Sequence, residues 1–172
     1  MIETARLILR PWREEDKPAF AAIINTPPMM VHFGGVQPLE AIEGLINAQM
    51  ANQARDGFSM WAVDERGSGA LAGICGVRTM PYADTPVTGE LEAGWRIAER
   101  HWGTGVAREA AQASFDWGWA NTDAPRIVAY TNAENEKSWG LMLRLGMRYR
   151  EELAFDHPKG GPMVVYTIDR PA

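Results

Sequence analysis

RHWGTGVAREAAQASFDWGW, residues 100–119, sets two glycines two residues apart at the head of a run that reads as a helix. Without side chains, Gly103 and Gly105 allow a tight turn whose N–H groups point outward at one spot. The helix starting there adds its own unpaired amides and the positive end of its dipole. Such a turn can seat an anion. Arg100 before it and Arg108 in the first helical turn supply positive charge, as a phosphate or pyrophosphate requires. The same glycines also suit a plain loop and helix cap, and the pattern alone leaves both readings open. Two nucleotide motifs fail by residue. The P-loop needs Lys and Ser/Thr after its last glycine, and the Rossmann fingerprint needs a small residue where Arg108 stands. Arg-x-x-Gly-x-Gly at Arg100, Gly103 and Gly105 remains.

Outward from this turn the pattern alternates strands and helices. Upstream, GELEAGWRIA reads as a strand, preceded by the loop RTMPYADTPVT. FSMWAVDERGSGALAGICGV reads as two strands joined by a polar hairpin at Asp64 to Gly69. A helix is expected from Leu39 to about Arg55, because Ile42, Leu45, Ile46 and Met50 share a face behind Pro38. The N-terminal stretch gives the strand ARLILRPW and an amphipathic helix in REEDKPAFAAIIN, with NTPPMMVHFGGVQP as a loop. Downstream of a helix from about Gly105 to Ala120 come the strand RIVAYT, a short helix from about Glu136 to Leu145, and strands near YREELAF and MVVYTID. The order βααβββαβαββ predicts one α/β domain over residues 1–172, with a mostly antiparallel sheet.

Composition narrows the function. Seventeen basic and 22 acidic residues leave a formal charge of -5, with no basic run to track a nucleic-acid backbone. No stretch approaches the roughly 20 apolar residues of a membrane span, and MIETARLILR lacks a signal-peptide core, so a soluble cytoplasmic protein is expected. Cys75 is the lone cysteine, in an apolar stretch, and His32, His101 and His157 belong to no metal motif, so no metal site is expected.

Arg100-x-x-Gly103-x-Gly105 resembles the [QR]-x-x-G-x-[GA] signature of the GNAT acetyltransferases. ETARLILRPWREED is similar to the opening of their RimJ/RimL-like branch, EAGWRIAERHWGTGVAREA to the central strand, pyrophosphate loop and helix, and NAENEKSWGLMLRLGMR to the N-x-x-S…G-[FM] segment. The resemblance implies a splayed, mostly antiparallel sheet of six to seven strands with about four helices. It places acetyl-CoA in the gap between the fourth and fifth strands and a primary amine, on a protein N-terminus or a small molecule, on the other side. It also implies cofactor contacts at Ile97, Arg100, Trp102, Gly103, Thr104, Gly105, Val106, Ala107, Asn135 and Ser138, although Asn135 equally suits a helix cap. A homodimer is compatible with the sequence.

Acetyl transfer needs a neutral amine, yet an α-amino group titrates near about 8 and a lysine near about 10. On this resemblance Glu92 is the first candidate to take the proton, directly or through water, and Glu90 the second, though both also suit ion pairs. A backbone amide near Ile97 would polarise the acetyl carbonyl. The family's tyrosine general acid corresponds to Met142 and the aromatic of its G-F pair to Met147. Thiolate protonation is left to Ser138, Tyr130, water or nothing. The missing tyrosine keeps open a second reading, a silent module that binds acyl-CoA as a sensor or scaffold. Phe58, Trp61, Tyr82 and Trp95 are candidates for an amine pocket, with Asp84 and the two glutamates favouring a cation. Trp102, Trp117, Trp119 and Trp139 are read as packing residues.

Overall fold

Alternating burial along Leu7–Arg10 and a 3.6-residue spacing of apolar side chains after Gly105 set the two kinds of element from which the chain is built. The computed structural model describes residues 1–158 and 160–171. In chain order these form β1 (Ile2–Glu3), β2 (Leu7–Arg10), α1 (Asp16–Ile24), α2 (Pro27–Met30), α3 (Leu39–Asp56), β3 (Met60–Glu65), β4 (Leu71–Thr79), β5 (Leu91–Ile97), α4 (Val106–Asn121), β6 (Arg126–Thr131), α5 (Glu136–Arg144), β7 (Arg148–Tyr149), β8 (Phe155–His157) and β9 (Gly161–Asp169).

The strands make one sheet in the order β1-β2-β3-β4-β5-β6-β9-β7, with β8 paired to β9. The pairs are antiparallel except for β5 and β6, which run parallel and meet at only two positions, Leu91↔Ile127 and Glu92↔Val128. Beyond them β5 stays paired with β4 to Ile97, and β6 with β9 to Thr131. Each strand follows its own neighbour, and the sheet opens into a gap.

Helix α4 closes one face. Its buried residues Val106, Ala110, Ala111, Ser114, Phe115 and Gly118 form one stripe. A Cβ on Gly118 would stand 3.1 Å from Leu91, so glycine lets helix and strand approach closely here. Phe115 is 1% exposed, and truncating it to alanine is expected to cost about 3–5 kcal/mol. On the other face α1 and α3 bury Phe20, Ile24, Ile42 and Ile46 against Ala62 and Ile74.

Two sequence expectations change. NTPPMMVHFGGVQP contains the one-turn helix α2, because the Thr26 hydroxyl accepts from Met29 N–H and Pro27 sits at the first helical position. YREELAF is not one strand: after Arg150 N–H bonds Val165 O (2.9 Å), Glu151–Leu153 coil into a 3₁₀ turn before β8. The sheet exceeds six or seven strands because β1, β7 and β8 add two- and three-residue pieces.

Candidate active site

The glycine turn lies at the C-terminal end of β5, beside the gap. Trp102 Nε1 donates to Ile97 O (2.8 Å), and Thr104 Oγ1 donates to His101 O (2.7 Å). Gly103 (φ 75°) and Gly105 (φ 82°) both adopt the left-handed region that glycine enters without penalty. A Cβ on Gly103 would meet nothing within 4 Å, and one on Gly105 only Arg6 Nη2 at 3.6 Å. Backbone conformation, not crowding within the protein, therefore calls for glycine, and the outer face stays open. Gly105 caps α4 without a side-chain hydrogen bond, and among the described residues the amides of Gly103, Gly105, Val106 and Ala107 find no protein acceptor. Such a convergence of unmet donors at a helix start suits an anion.

The positive charge beside the turn differs from expectation. Arg100 donates to Glu65 Oε1 (2.9 Å) and Leu71 O (2.8 Å), and Arg108 is exposed. Arg6 reaches the turn instead. Its Nη1 donates to Thr104 O (3.1 Å), while its Nε and main-chain N–H grip Glu109 in the first turn of α4. Arg6 lies 98 residues from Thr104 in sequence, so no local pattern announces it.

Main-chain groups line the gap. Ala98 N–H donates to Ala72 O (2.8 Å), so the alternation of an antiparallel ladder turns the N–H groups of Ala93, Trp95 and Ile97 toward the edge that β6 leaves unpaired. On the opposite wall Asn135 caps α5, accepting from Ser138 N–H (3.3 Å) and donating to Thr131 Oγ1 (3.0 Å). Asn132 donates to His32 O (3.3 Å), but its buried Oδ1 has no partner. Trp102 is 37% exposed and carries Lys137 Nζ 3.9 Å above its ring, linking the turn to α5 rather than packing in the core.

The sheet face carrying Glu92 forms the other side. Glu92 is buried, and its two oxygens accept from Arg78 Nε (2.9 Å) and Nη2 (3.1 Å), its cross-strand partner on β4. Arg78 is thus a strand residue, not the start of the following loop. Glu90 accepts from Arg126 (2.6 Å). Tyr130 lies near this pair, and burial first, then the Glu92 charge, pushes its phenol well above the ordinary value and keeps it neutral. Tyr82 and His157 meet edge to face at 4.5 Å, with Tyr130 6.0 Å from the same imidazole. Of the four aromatics expected to line an amine pocket, only Tyr82 is here. Phe58 and Trp61 pack on Trp117, and Trp95 packs against the α4-side core.

The connector between α1 and α3 crosses the front. Thr26 donates to Glu99, Phe33 covers Arg96 with the guanidinium carbon 3.7 Å from its ring centroid, and His32 O receives Asn132. A hollow of about 520 Å³ behind the turn is lined by Arg6, Glu65, Arg66 and His101. Its charges are paired internally, as Arg6–Glu109, Arg66–Glu3 and Glu65 with Arg100 and His101, so the gap, not the hollow, offers the unmet groups. Cys75 is fully buried, and burial pushes its thiol up to about 12.

Comparison with known proteins agrees with this arrangement. A family model described as an acetyltransferase (GNAT) domain matches residues 6–148. The chain is 27% identical over 151 residues to the protein YkkB of Bacillus subtilis, covering 87% of this chain and 86% of that one. The crystal structure of an acetyltransferase from Agrobacterium tumefaciens superposes with a TM-score of 0.83 at 29% identity, covering 97% and 92% of the two chains. A ribosomal L7/L12 α-N-protein acetyltransferase, RimL, in complex with coenzyme A shares the fold at a TM-score of 0.75 and 15% identity, over 96% and 95% of the chains.

Proposed function

Because the chain belongs to the GNAT acetyltransferase family, we propose that residues 1–172 work as one domain that moves an acetyl group from acetyl-CoA to a primary amine in a ternary complex. The observation that carries this reading is the gap between β5 and β6, whose unpaired main-chain edge runs into the glycine turn. Its donors fit the ligand: the amides of Gly103, Gly105, Val106 and Ala107 suit a pyrophosphate, the edge of β5 suits an extended amide-bearing chain, and the orphaned Asn132 Oδ1 suits an N–H donor. Bound CoA in the RimL structure supports the same ligand class. Acetyl-CoA supplies the acyl group already activated as a thioester.

The chain's own groups then act on the amine and on the developing charge. The new N–C bond forms as the C–S bond breaks, with the nitrogen releasing a proton to the departing thiolate or to water; before that, the ammonium must give up one proton to become the neutral nucleophile. Glu92 offers two acceptor positions beyond those held by Arg78, and it takes that proton directly or through water. Glu90 is held by Arg126 and is the weaker candidate. The Ile97 N–H points into the gap and can polarise the acetyl carbonyl. Tyr130, its phenol held neutral, is a poor acid. A thiol of pKa about 8.5 leaves as thiolate without one, and the Ser138 hydroxyl can serve as a hydrogen-bond donor.

Thermal-shift measurements with acetyl-CoA, desulfo-CoA and ATP, followed by thiol release over an amine panel, test the proposal. Stabilisation by both pantetheine ligands together with amine-dependent thiol release is expected. Stabilisation without release on any amine would replace the enzyme with a CoA-binding sensor or scaffold.

A further inference from the structure

The Glu92 face is not the anionic pocket that its glutamates suggest. Arg78 neutralises Glu92 and Arg126 neutralises Glu90, which leaves the guanidinium of Arg96 over. Arg96 follows Glu92 and Gly94 on one face of β5 and pairs across the ladder with Ile74, which carries no charge. Among the described residues its side chain makes no ion pair and no hydrogen bond. The ionisable groups that influence it are Arg78, Tyr130 and Tyr82, with no carboxylate among them. Burial and then Arg78 draw its pKa down to about 10, which still leaves it charged at neutral pH.

Phe33 is the one described side chain stacked on it, 3.7 Å from the guanidinium carbon. Stacking occupies a flat face of the guanidinium and leaves the N–H donors in its plane free, in the fork geometry that a carboxylate or phosphate accepts. A cation this desolvated without a counter-charge is costly to hold. From this geometry, and resting on the acetyl-transfer reading above, we infer that Arg96 anchors an anionic group of the acceptor, so that the substrates are primary amines that also carry a carboxylate or phosphate. Polyamines and simple alkylamines lack that group and meet net positive charge, two guanidiniums against one carboxylate, at Arg78, Arg96 and Glu92.

Matched amines test it: phenylalanine against 2-phenylethylamine, and O-phosphoethanolamine against ethanolamine, each assayed by thiol release at saturating acetyl-CoA. The anionic member of at least one pair is expected to have a kcat/KM about 10- to 100-fold higher, the worth of a charge-assisted bidentate contact. Which pair shows the gap tells carboxylate from phosphate. Arg96→Met should raise the amine KM and erase the preference, and Arg96→Lys, which keeps the charge, should restore part of it. Equal use of both members of both pairs overturns the inference, as does an Arg96→Met protein in which only the acetyl-CoA KM rises. Calorimetric titration of the CoA-loaded protein with the same four amines separates the two proposals. Arg96-dependent binding of the anionic amines without turnover would sink acetyl transfer and keep the anchor. Turnover without preference would sink the anchor and keep acetyl transfer. Neither binding nor turnover would sink both.

Discussion

Asparagine at Gly103 and Gly105 separates an anion seat from a turn that merely needs glycine. Both residues are left-handed, at φ 75° and 82°, and asparagine enters that region far more readily than a β-branched residue does. Neither new Cβ would collide with the protein, since Gly103 has nothing within 4 Å and Gly105 only Arg6 Nη2 at 3.6 Å. The folding cost should therefore stay near the low end of the about 1–3 kcal/mol that a left-handed non-glycine residue carries. What the side chain does obstruct is the open face on which the free amides converge. Losing two charge-assisted amide contacts, at about 1.5 kcal/mol each, amounts to about 3 kcal/mol, or roughly 100-fold in Kd for CoA. Calorimetric titration with CoA reads the affinity, and thermal melting reads the fold. Gly57→Asn is the control: Gly57 is left-handed at φ 81° with open space around it, at the C-terminus of α3, so it shares the backbone demand without the amides. Folded Gly103→Asn and Gly105→Asn proteins that bind CoA within twofold of the unaltered chain would reduce the turn to a loop and a cap.

Glu92→Gln should lower kcat by on the order of 10²- to 10⁴-fold at neutral pH, with partial recovery as pH rises and with the acetyl-CoA KM nearly intact. Unaltered kcat in a variant that still melts cooperatively would remove Glu92 from the mechanism. Cys75, with its thiol pushed up to about 12 and no exposure, should resist Ellman's reagent until the protein is denatured, and Cys75→Ala should keep most activity; an acetylated Cys75 seen by mass spectrometry would contradict direct transfer. Burial alone would raise the Asp16 carboxyl, but hydrogen bonds from Arg10 and the Arg13 amide hold it below the ordinary value. A depressed folded pKa gives stability that is present above the unfolded value near about 4 and is lost as pH falls through the lower folded value. Tm should therefore start to fall below about pH 4, and Asp16→Asn, which leaves Arg10 paired with Asp64, should cost about 1.5 kcal/mol at pH 7 while flattening that acid limb.

What the sequence made legible follows how local each determinant is. The helix expected from Leu39 to about Arg55 spans Leu39–Asp56, and the strand RIVAYT coincides with β6, because one apolar face or one β-branched run decides each within a few turns of chain. The glycine turn was equally readable, since left-handed backbone at two positions is a demand that glycine meets by itself. YREELAF was not, because the 3₁₀ turn Glu151–Leu153 interrupts it between two stretches that each pair with β9, a register set by distant chain. Arg6 escaped for a related reason: its partners Thr104 and Glu109 reach it only through the packing of α4 on the N-terminal strands.

The charges of the acceptor side show the same limit in its sharpest form. Asp84, Glu90, Glu92 and a net charge of -5 suggest a pocket for a cation, but electrostatics in a cleft depends on which carboxylates keep their charge unshared. Register decides that. Arg78 stands directly across from Glu92 on β4, and Arg126 opens β6 within reach of Glu90, so the strand pairs that flank the gap also pair both glutamates. Among the described residues, the guanidinium on this face without a counter-charge belongs to Arg96, opposite Ile74. Phe33 holds that guanidinium by its flat face, so an anion arriving at its edge need not displace the connector. Thr26 and His32 can keep their contacts with Glu99 and Asn132 while it binds. On the reading proposed above, recognition of the acceptor's anion at Arg96 and the connector's contacts across the gap therefore do not compete, and the bond from Asn132 to His32 O can stay in place.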